Sequence, residues 1–268
     1  MSQDILRIPP PPPGERIAYG SDPLQFGDLR LPDGKGPHPV AIVIHGGFWR
    51  AAYDLEHIGH VCAALQQAGI ATWSLEYRRV GNPGGGWPGT FQDVALGADD
   101  VRKIAAKYNL DLNRVVAVGH SAGGHLALWL GTRKGLPKDS LLYSPDPLSL
   151  HGIVSLAGVA DLRRAWELKL SNTVVADFLG GSPYEVDDRY RLGSPIERLP
   201  LGITQRLIHG TADANVPYDI STNYVSAAKA RGDKAELVTL EDAHHFELID
   251  PRTKEFETVK RTVIDLLR

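Results

Sequence analysis

One five-residue string, G-H-S-A-G at positions 119–123, restricts the fold of this chain more than any other feature. An apolar run, residues 115–118, precedes the string, and an apolar stretch with helical spacing, residues 123–131, follows it. Its glycines let other backbone segments pass close to a serine at the tip of a tight turn. A glycine-rich turn is the plain interpretation of such a string. Its setting, however, predicts a strand, a sharp turn and a helix, with Ser121 as the nucleophile.

Segments with strand character alternate with segments of helical spacing along the rest of the chain. Short apolar or alternating runs predict strands over residues 24–31, 40–44, 70–77, 115–118, 152–156, 204–209 and 235–240. Apolar positions three or four apart predict helices over residues 55–67, 91–108, 123–131, 220–231 and 253–267. This order is typical of the α/β class, with a mostly parallel sheet and helices on both faces. We find no repeat and no linker, so residues 1–268 are predicted to form one domain.

Residues 161–200 break this alternation between two predicted core strands. The segment carries four aromatic residues, Trp166, Phe178, Tyr184 and Tyr190. A long insertion of this kind either covers a site or forms an irregular excursion at the surface. The aromatic content favours the first interpretation, and we predict a short cap over the site.

A serine hydroxyl is a weak nucleophile by itself, so Ser121 predicts a base and an orienting acid further along the chain. Asp213 follows a predicted strand through a glycine turn, and its position after Ser121 favours an acid over an ordinary turn aspartate. Two adjacent histidines, His244 and His245, follow the strand at 235–240, and both are candidates for the base. Neighbouring side chains diverge, so only one of them reaches Ser121. Spacing alone does not choose between them.

A fourth element is the glycine pair Gly46 and Gly47, which follows the predicted strand at 40–44. Such a pair exposes backbone N–H groups, and a bland turn is the alternative interpretation. We predict that the N–H groups of this pair, of Phe48 and of Ala122 form an oxyanion hole. All four elements follow the ends of strands, where the ligand sites of open α/β sheets collect.

Four strings carry a resemblance to a known family: HGGFW at 45–49, LEY at 75–77 followed by two arginines, GHSAGGH at 119–125, and HHFELID at 244–250. They resemble the branch of the α/β-hydrolases that contains kynurenine formamidases and carboxylesterases of the hormone-sensitive-lipase type. The resemblance runs from about residue 40 to the C-terminus, more loosely over the insertion.

This resemblance implies an α/β-hydrolase fold. It also implies His245 as the base, because the catalytic histidine of that branch directly precedes a phenylalanine. Lipase-type members usually have a third glycine where this chain has Phe48, and this departure favours the formamidase-like branch.

Together these elements predict a serine hydrolase that cleaves small carboxylic esters through an acyl-enzyme, with Ser121, Asp213 and His245 as catalytic residues. An arylformamidase that acts on N-formylkynurenine uses the same groups and is the alternative. A non-catalytic α/β-hydrolase that serves as a binding module is the third interpretation, although such proteins usually lose the nucleophile or the base. Trp49 and Trp87 are predicted to wall the substrate pocket.

Charge and composition weigh against several other classes. The formal net charge of −3 gives no electrostatic reason to expect a nucleic acid or an anionic membrane as partner. We expect no cofactor, because no nucleotide-binding loop is present, and no metal, because His57 and His60 lack a third ligand. The single cysteine, Cys62, is expected to be a packed thiol. Without an apolar leader or a long apolar window, the chain is expected to be soluble and cytoplasmic, with a homodimer left open.

Overall fold

Eight strands form one sheet in the computed structural model, which describes residues 3–268. Their bounds in chain order, β1 to β8, are Glu15–Ala18, Phe26–Arg30, His38–Ile44, Ala71–Leu75, Leu110–His120, Gly152–Leu156, Thr204–Gly210 and Ala235–Leu240. The order across the sheet is β1-β2-β4-β3-β5-β6-β7-β8. Strand β2 is antiparallel to both of its neighbours, whereas β3 to β8 pair in parallel. The mostly parallel sheet that the sequence predicts is thereby confirmed.

Nine α-helices accompany the sheet in the described part of the chain. Their bounds, α1 to α9, are Gly59–Gln67, Gly89–Asp99, Val101–Tyr108, Ala122–Thr132, Leu162–Glu167, Val174–Leu179, Asp187–Gly193, Asp219–Ala230 and Lys254–Leu266. Short 3₁₀ turns cover Asp4–Arg7, Leu55–Ile58, Arg133–Gly135, Pro195–Arg198 and Glu247–Ile249. Over residues 3–268, every helix falls short of the length and apolarity that a membrane crossing needs.

Two apolar clusters, one on each face of the sheet, hold the helices in place. Side chains alternate across β3, so Val40, Ile42 and Ile44 belong to one cluster, while Ala41 and Val43 belong to the other. The first cluster includes side chains of α2, α3, α4 and α8, and the second includes side chains of α1 and α9. These five side chains of β3 are fully buried, as expected for a parallel strand that is covered on both faces.

The single helix predicted over residues 91–108 is two helices, α2 and α3, which meet at Asp100. The indole N–H of Trp73 donates to the carbonyl of Gly97 at 2.8 Å. In an uninterrupted helix that carbonyl would accept the N–H of Val101. A contact from the neighbouring strand therefore competes with the helical hydrogen bond at the point where the helix breaks.

Strand β1 is absent from the sequence prediction, and β5 is longer than predicted. Three of the four residues of β1 are exposed, so they lack the apolar pattern by which a strand is recognised. Strand β5 extends back to Leu110 through residues 111–114, which are half-buried or exposed and, apart from Leu112, polar. The predicted helix at 55–67 begins as a 3₁₀ turn, with the carboxylate of Asp54 accepting the N–H of Glu56 at 2.9 Å.

Residues 161–200 hold three short helices, α5 to α7, and α6 contacts the loop that follows β3. Phe178 of α6 stacks on Trp49, with 4.5 Å between the ring centroids. The carbonyl of Phe178 accepts the N–H of Trp87 at 2.8 Å. Tyr190 of α7 is also fully buried. The segment thus supplies aromatic side chains to the core, while its role as a cap and the single-domain organisation stay predictions.

Candidate active site

Ser121 lies at the sharp turn between strand β5 and helix α4. Its φ of 58° is in the left-handed region, which a residue with a side chain rarely adopts. The glycines around it are required by close backbone contacts. A Cβ on Gly119 would lie 2.0 Å from the carbonyl oxygen of Gly123, and a Cβ on Gly123 would lie 2.1 Å from that of Ile44. The strand, turn and helix predicted around Ser121 are therefore present, with the serine held in a strained conformation.

Asp213 lies in the loop after β7, and its carboxylate is fully buried. Its Oδ1 accepts the backbone N–H groups of Asn215 and Val216 at 2.8 and 2.9 Å. Its Oδ2 accepts from Nδ1 of His245 at 2.6 Å and from Nε2 of His209 at 3.2 Å. Burial by itself would raise the pKa of this carboxyl group, but the hydrogen bonds from His209 and His245 lower it well below its usual range. Asp213 is therefore a charged group with four donors around it.

His209 supports Asp213 and is missed by sequence reasoning. Besides Asp213, its Nε2 contacts the carbonyl oxygen of Val216 at 3.0 Å, and its Nδ1 lies 2.7 Å from Oγ of Ser221. Both partners of Nε2 are acceptors, so this nitrogen carries the proton and Nδ1 accepts from the serine hydroxyl. The ring is thereby fixed as a donor to Asp213. In the sequence, His209 is only one polar residue at the end of an apolar strand.

The two adjacent histidines of the loop after β8 have different partners. His245 is buried, donates to Asp213 and lines the same cleft as Ser121. His244 is exposed, and its Nδ1 contacts the carbonyl oxygen of Ala212 at 2.9 Å. The structure thus brings His245, and not His244, together with Ser121 and Asp213.

A small cleft of about 50 Å³ adjoins Ser121. Its other walls are Gly47, Phe48, Tyr53, His57, Asn215, His245 and Phe246. Tyr53, His57 and Asn215 are not predicted as site residues. Tyr53 and Asn215 come from loops and His57 from a 3₁₀ turn, and none of these segments has a recognisable local motif. Phe246 is nearly buried and packs against the ring of His120, with 5.8 Å between the ring centroids.

A chain of hydrogen bonds joins His57, His120 and the backbone of His245. The ring Nε2 of His120 donates to the carbonyl oxygen of His245 at 2.9 Å. Nδ1 of a neutral His120 is then an acceptor, and it receives the N–H of His57 Nε2 at 2.8 Å. Burial lowers the pKa of His57 to about 3 and the pKa of His120 well below its ordinary value. Both rings are therefore neutral, as this arrangement requires.

His57 and His60, which have the spacing of a metal pair, are held by other groups. His57 is bound to His120, and Nε2 of His60 contacts the carbonyl oxygen of Ile8 at 3.0 Å. Within residues 3–268, no three His, Cys, Asp or Glu side chains are placed to hold a metal ion together. Cys62 is buried, as predicted, and burial raises the pKa of its thiol to about 11.

The loop after β3 carries free backbone N–H groups past Ser121. A Cβ on Gly46 would lie 3.1 Å from the Cβ of Ser121, and Gly47 and Phe48 have φ values of 104° and 50°. Among the described residues, the N–H groups of Gly47 and Phe48 find no acceptor. The N–H of Ala122, at the first position of α4, has no partner within its helix. The predicted oxyanion residues are thus brought around the serine.

A buried group of side chains holds this loop from within the protein. Nδ1 of His45 contacts the carbonyl oxygen of Gly46 at 2.8 Å, and its Nε2 contacts Oε1 of Glu76 at 3.2 Å. The same carboxylate oxygen pairs with Arg79 at 2.9 Å. Burial by itself would raise the pKa of Glu76, but its electrostatic interactions with His45 and Arg79 and its hydrogen bond with His45 lower it. Tyr77 stacks on His45, with 4.4 Å between the ring centroids.

The prediction that Trp49 walls the pocket is wrong. Trp49 is fully buried, stacks on Phe178, and donates its indole N–H to Nδ1 of His125 at 3.2 Å. In the core its large apolar ring is fully removed from water and its indole N–H has an acceptor, which stabilises this position. Trp87 packs edge-on against Phe91 at 5.4 Å and is not a wall of the small cleft. Its role in substrate binding stays a prediction.

The parallel sheet, the strained turn at Ser121 and the buried Asp213–His245 pair define an α/β-hydrolase. The model of the BD-FAE family matches residues 28–227, and the chain belongs to this family. Ser121 and Asp213 lie inside the matched residues, whereas His245 lies beyond them.

Curated relatives with similar sequences are esterases by name. The chain is 27% identical over 250 residues to a probable isoprenylcysteine alpha-carbonyl methylesterase of Arabidopsis thaliana, and the alignment covers 87% of this chain and 50% of the relative. It is 27% identical over 252 residues to the esterase LipC of Mycobacterium tuberculosis, and this alignment covers 88% of this chain and 60% of the relative. The chain therefore spans only about half of the length of these relatives.

Solved structures share the fold over nearly the whole chain. A truncated carbohydrate esterase from gut microbiota has a TM-score of 0.81 and 26% identity, with 97% of this chain and 99% of the other chain covered. Esterase 2 of Thermogutta terrifontis has a TM-score of 0.78 and 22% identity, with 96% and 94% covered. These similarities confirm the α/β-hydrolase fold class.

Proposed function

We propose that this chain is a carboxylesterase-type serine hydrolase that cleaves small carboxylic esters through an acyl-enzyme. One observation carries the proposal. Ser121 is held in a strained turn and shares a cleft with His245, whose other ring nitrogen donates to the buried carboxylate of Asp213. The esterase names of the relatives and of the solved structures support the same chemistry.

In the acylation step, Oγ of Ser121 attacks the carbonyl carbon of the ester and its proton passes to Nε2 of His245. Asp213 is suited to stabilise the imidazolium that forms, because its carboxylate is charged and bound to Nδ1 of that ring. The imidazolium then returns the proton to the departing alkoxide, and the alcohol leaves.

The negative charge that develops on the carbonyl oxygen needs donors that are already in place. The free N–H groups of Gly47, Phe48 and Ala122 supply them around Ser121. Gly46 contributes by letting the loop pass close to the serine. Such fixed donors stabilise the tetrahedral intermediate without any reorganisation during the reaction.

In the deacylation step, His245 removes a proton from a water molecule, which attacks the acyl-enzyme and releases the carboxylic acid. Over the two steps, one ester and one water molecule are consumed, and one alcohol and one carboxylic acid are released. The proposal needs no cofactor for this sequence of steps.

The size of the cleft supports small substrates. A space of about 50 Å³ has room for roughly two water molecules, so an acyl group of a few heavy atoms fits beside Ser121. Phe48 and Phe246 give this space apolar walls. The cytoplasmic location, with a homodimer left open, stays a prediction.

The test compares the hydrolysis of p-nitrophenyl acetate with that of N-formylkynurenine, for the wild type and for Ser121→Ala. We expect a higher kcat/KM for the acetate, and a loss of about 10³-fold or more in kcat for the variant. A fluorophosphonate probe is expected to label the wild type at Ser121. A higher kcat/KM for the formamide would favour the arylformamidase alternative. A variant that keeps more than about a tenth of the activity would contradict the nucleophile assignment.

A further inference from the structure

The carboxylate oxygen Oδ2 of Asp213 is shared by two histidines. Nδ1 of His245 lies 2.6 Å from it, and Nε2 of His209 lies 3.2 Å from it. His245 lines the cleft at Ser121, whereas His209 is fully buried near the end of β7. Two N–H groups on one oxygen compete for the same negative charge, so the strength of each hydrogen bond depends on the other.

His209 also fixes the loop that carries Asp213. Its Nε2 contacts the carbonyl oxygen of Val216 at 3.0 Å, and the backbone N–H of Val216 donates to Oδ1 of Asp213 at 2.9 Å. The ring thus binds both ends of the segment 213–216. Without this ring, the buried carboxylate would have one donor fewer, and its position would be less well defined.

Ser221, the third residue of α8, holds the other side of the ring. Its Oγ lies 2.7 Å from Nδ1 of His209, and the serine is almost fully buried. Both partners of Nε2 are acceptors, so Nε2 carries the proton and the hydroxyl donates to Nδ1. In the opposite tautomer, a lone pair of Nε2 would face a carboxylate and a carbonyl oxygen. The hydroxyl therefore favours the ring form that can donate to Asp213.

We propose that Ser221 and His209 are positioning residues of the hydrolysis, in which the hydroxyl fixes the ring and the ring limits how strongly Asp213 holds His245. The inference rests on the proposed ester hydrolysis at Ser121. Without the N–H of His209, Oδ2 would direct more of its charge to His245. An imidazolium at His245 would then keep its proton at higher pH, and the neutral base would be present over a narrower pH range.

The other titratable groups near these rings come from several elements. In contact with the rings, at the cleft or on the loop of His245 are His57, His120, Tyr53, Tyr218, His244 and Glu247. His57 and His120 are neutral, because burial lowers their pKa values. The hydroxyl of Tyr218 is bonded to Thr239, and Glu247 accepts the backbone N–H of His244. Asp213 is the carboxylate that both rings bind.

The experiment measures kcat and KM for p-nitrophenyl acetate from about pH 5 to pH 8 in the wild type, His209→Leu and His209→Gln. In His209→Leu we expect the midpoint of the acidic limb of kcat/KM to rise by about half a pH unit. We also expect kcat on the plateau to fall about fivefold with little change in KM, because Asp213 is less well positioned. His209→Gln keeps an N–H near the position of Nε2 and should restore both values.

The direction of the shift separates this role from a merely structural one. A loosened loop would let water reach Asp213 and weaken its hold on His245, so the acidic limb would move to lower pH. A shift to lower pH, or no shift, in folded His209→Leu would overturn the proposal. Thermal melts show whether each variant is folded.

Ser221→Ala is the milder second variant, which leaves the imidazole in place. The acidic limb should move in the same direction as in His209→Leu, by a smaller amount. Thr222→Val is the matched control, because it removes a hydroxyl of the same helix that reaches only the carbonyl of Asp219, at 3.1 Å. Its profile should match that of the wild type. An unchanged profile in Ser221→Ala would overturn the role of Ser221.

Nitrogen-15 NMR of the wild type tests the protonation of His209 directly, with the signal assigned by its loss in His209→Gln. We expect a neutral ring with its proton on Nε2. A proton on Nδ1 alone, or on both nitrogens, would overturn the proposal. Activity retained in Ser121→Ala would contradict the proposed function itself. An inactive Ser121→Ala, together with unchanged profiles in the His209 and Ser221 variants, would contradict only the positioning role.

Discussion

The two sides of Ser121 are built in different ways. On the acid–base side, side chains form the site: Asp213 lies between His209 and His245, and its bonds with these two rings join side chain to side chain. On the oxyanion side, the backbone forms the site, because the free N–H groups of Gly47 and Phe48 come from residues with positive φ. The first side depends on residue type, and the second depends on backbone conformation.

This difference shows which substitutions each side tolerates. On the acid–base side, removing an imidazole or carboxylate removes the chemistry even if the backbone stays in place. On the oxyanion side, a side chain matters only through the conformation that it allows. Both sides share one device, a buried histidine bound to a carboxylate: His209 with Asp213, and His45 with Glu76. In each case the histidine and its carboxylate partner lie behind the loop that forms the site.

Substitution of the two adjacent histidines tests the acid–base side most severely. His245→Ala should lose about 10³-fold or more in kcat, because His245 is the histidine that both lines the cleft at Ser121 and binds Asp213. His244→Ala should keep most of its turnover, since this exposed ring only contacts the carbonyl of Ala212. The measurement is kcat on a short-chain ester, with thermal melts as the folding control. The reverse ranking would move the base to His244.

Gly47→Ala tests the oxyanion side. Its φ of 104° is strained for alanine, and the new Cβ would lie 2.4 Å from the Cβ of Tyr53. The loop must shift, so we expect a loss of about 10²-fold in kcat with a smaller change in KM. Gly34→Ala is the matched control, because Gly34 has a φ of 105° and open space around it. If both variants behaved alike, backbone strain in general, and not the donors at Ser121, would explain the loss.

The hydrogen bonds from His57 to His120 and from His120 to His245 connect the two sides, and a substitution at His57 should have a smaller effect on kcat. His57→Met removes the donor to His120, which in turn holds the carbonyl of His245, so we expect about a tenfold loss in kcat. His57→Gln keeps an N–H near the same position and should restore most of the activity. A pH–rate profile of each variant separates positioning from simple loss of stability. Equal activity of both variants would show that the donor does not matter.

Stability in acid should reflect His125, which lies under the oxyanion loop and accepts from Trp49. Burial lowers its pKa to about 4, so the unfolded chain binds more protons than the folded chain between about pH 6.5 and pH 4. The free energy of unfolding therefore falls as the pH drops through this window, by about 2 kcal/mol for this histidine at pH 5. Denaturant melts of the wild type and of His125→Gln at pH 7, 6 and 5 measure it. The variant should have the shallower dependence on pH, and an equal slope would contradict this role.

Much of the fold is predictable because its signals are local. The strands at 152–156 and 235–240 have the predicted bounds, since short apolar runs between turn residues identify them. Strand β1 and the break between α2 and α3 are not predictable in this way. The first has no apolar pattern, and the second depends on the indole of Trp73, which comes from another strand. The prediction for Trp49 fails for a related reason, because the ring that covers it belongs to the insertion.

The sequence by itself determines which groups are available and in which order they follow the strands: a serine between glycines, an aspartate, two histidines and a glycine pair. Only the tertiary structure decides which of them meet. The bond between His245 and Asp213 spans 32 residues of chain, and the bond between His57 and His120 spans 63. Periodicity acts over a few residues, whereas a hydrogen bond between distant side chains forms only when the packing of the sheet brings their loops to the same edge.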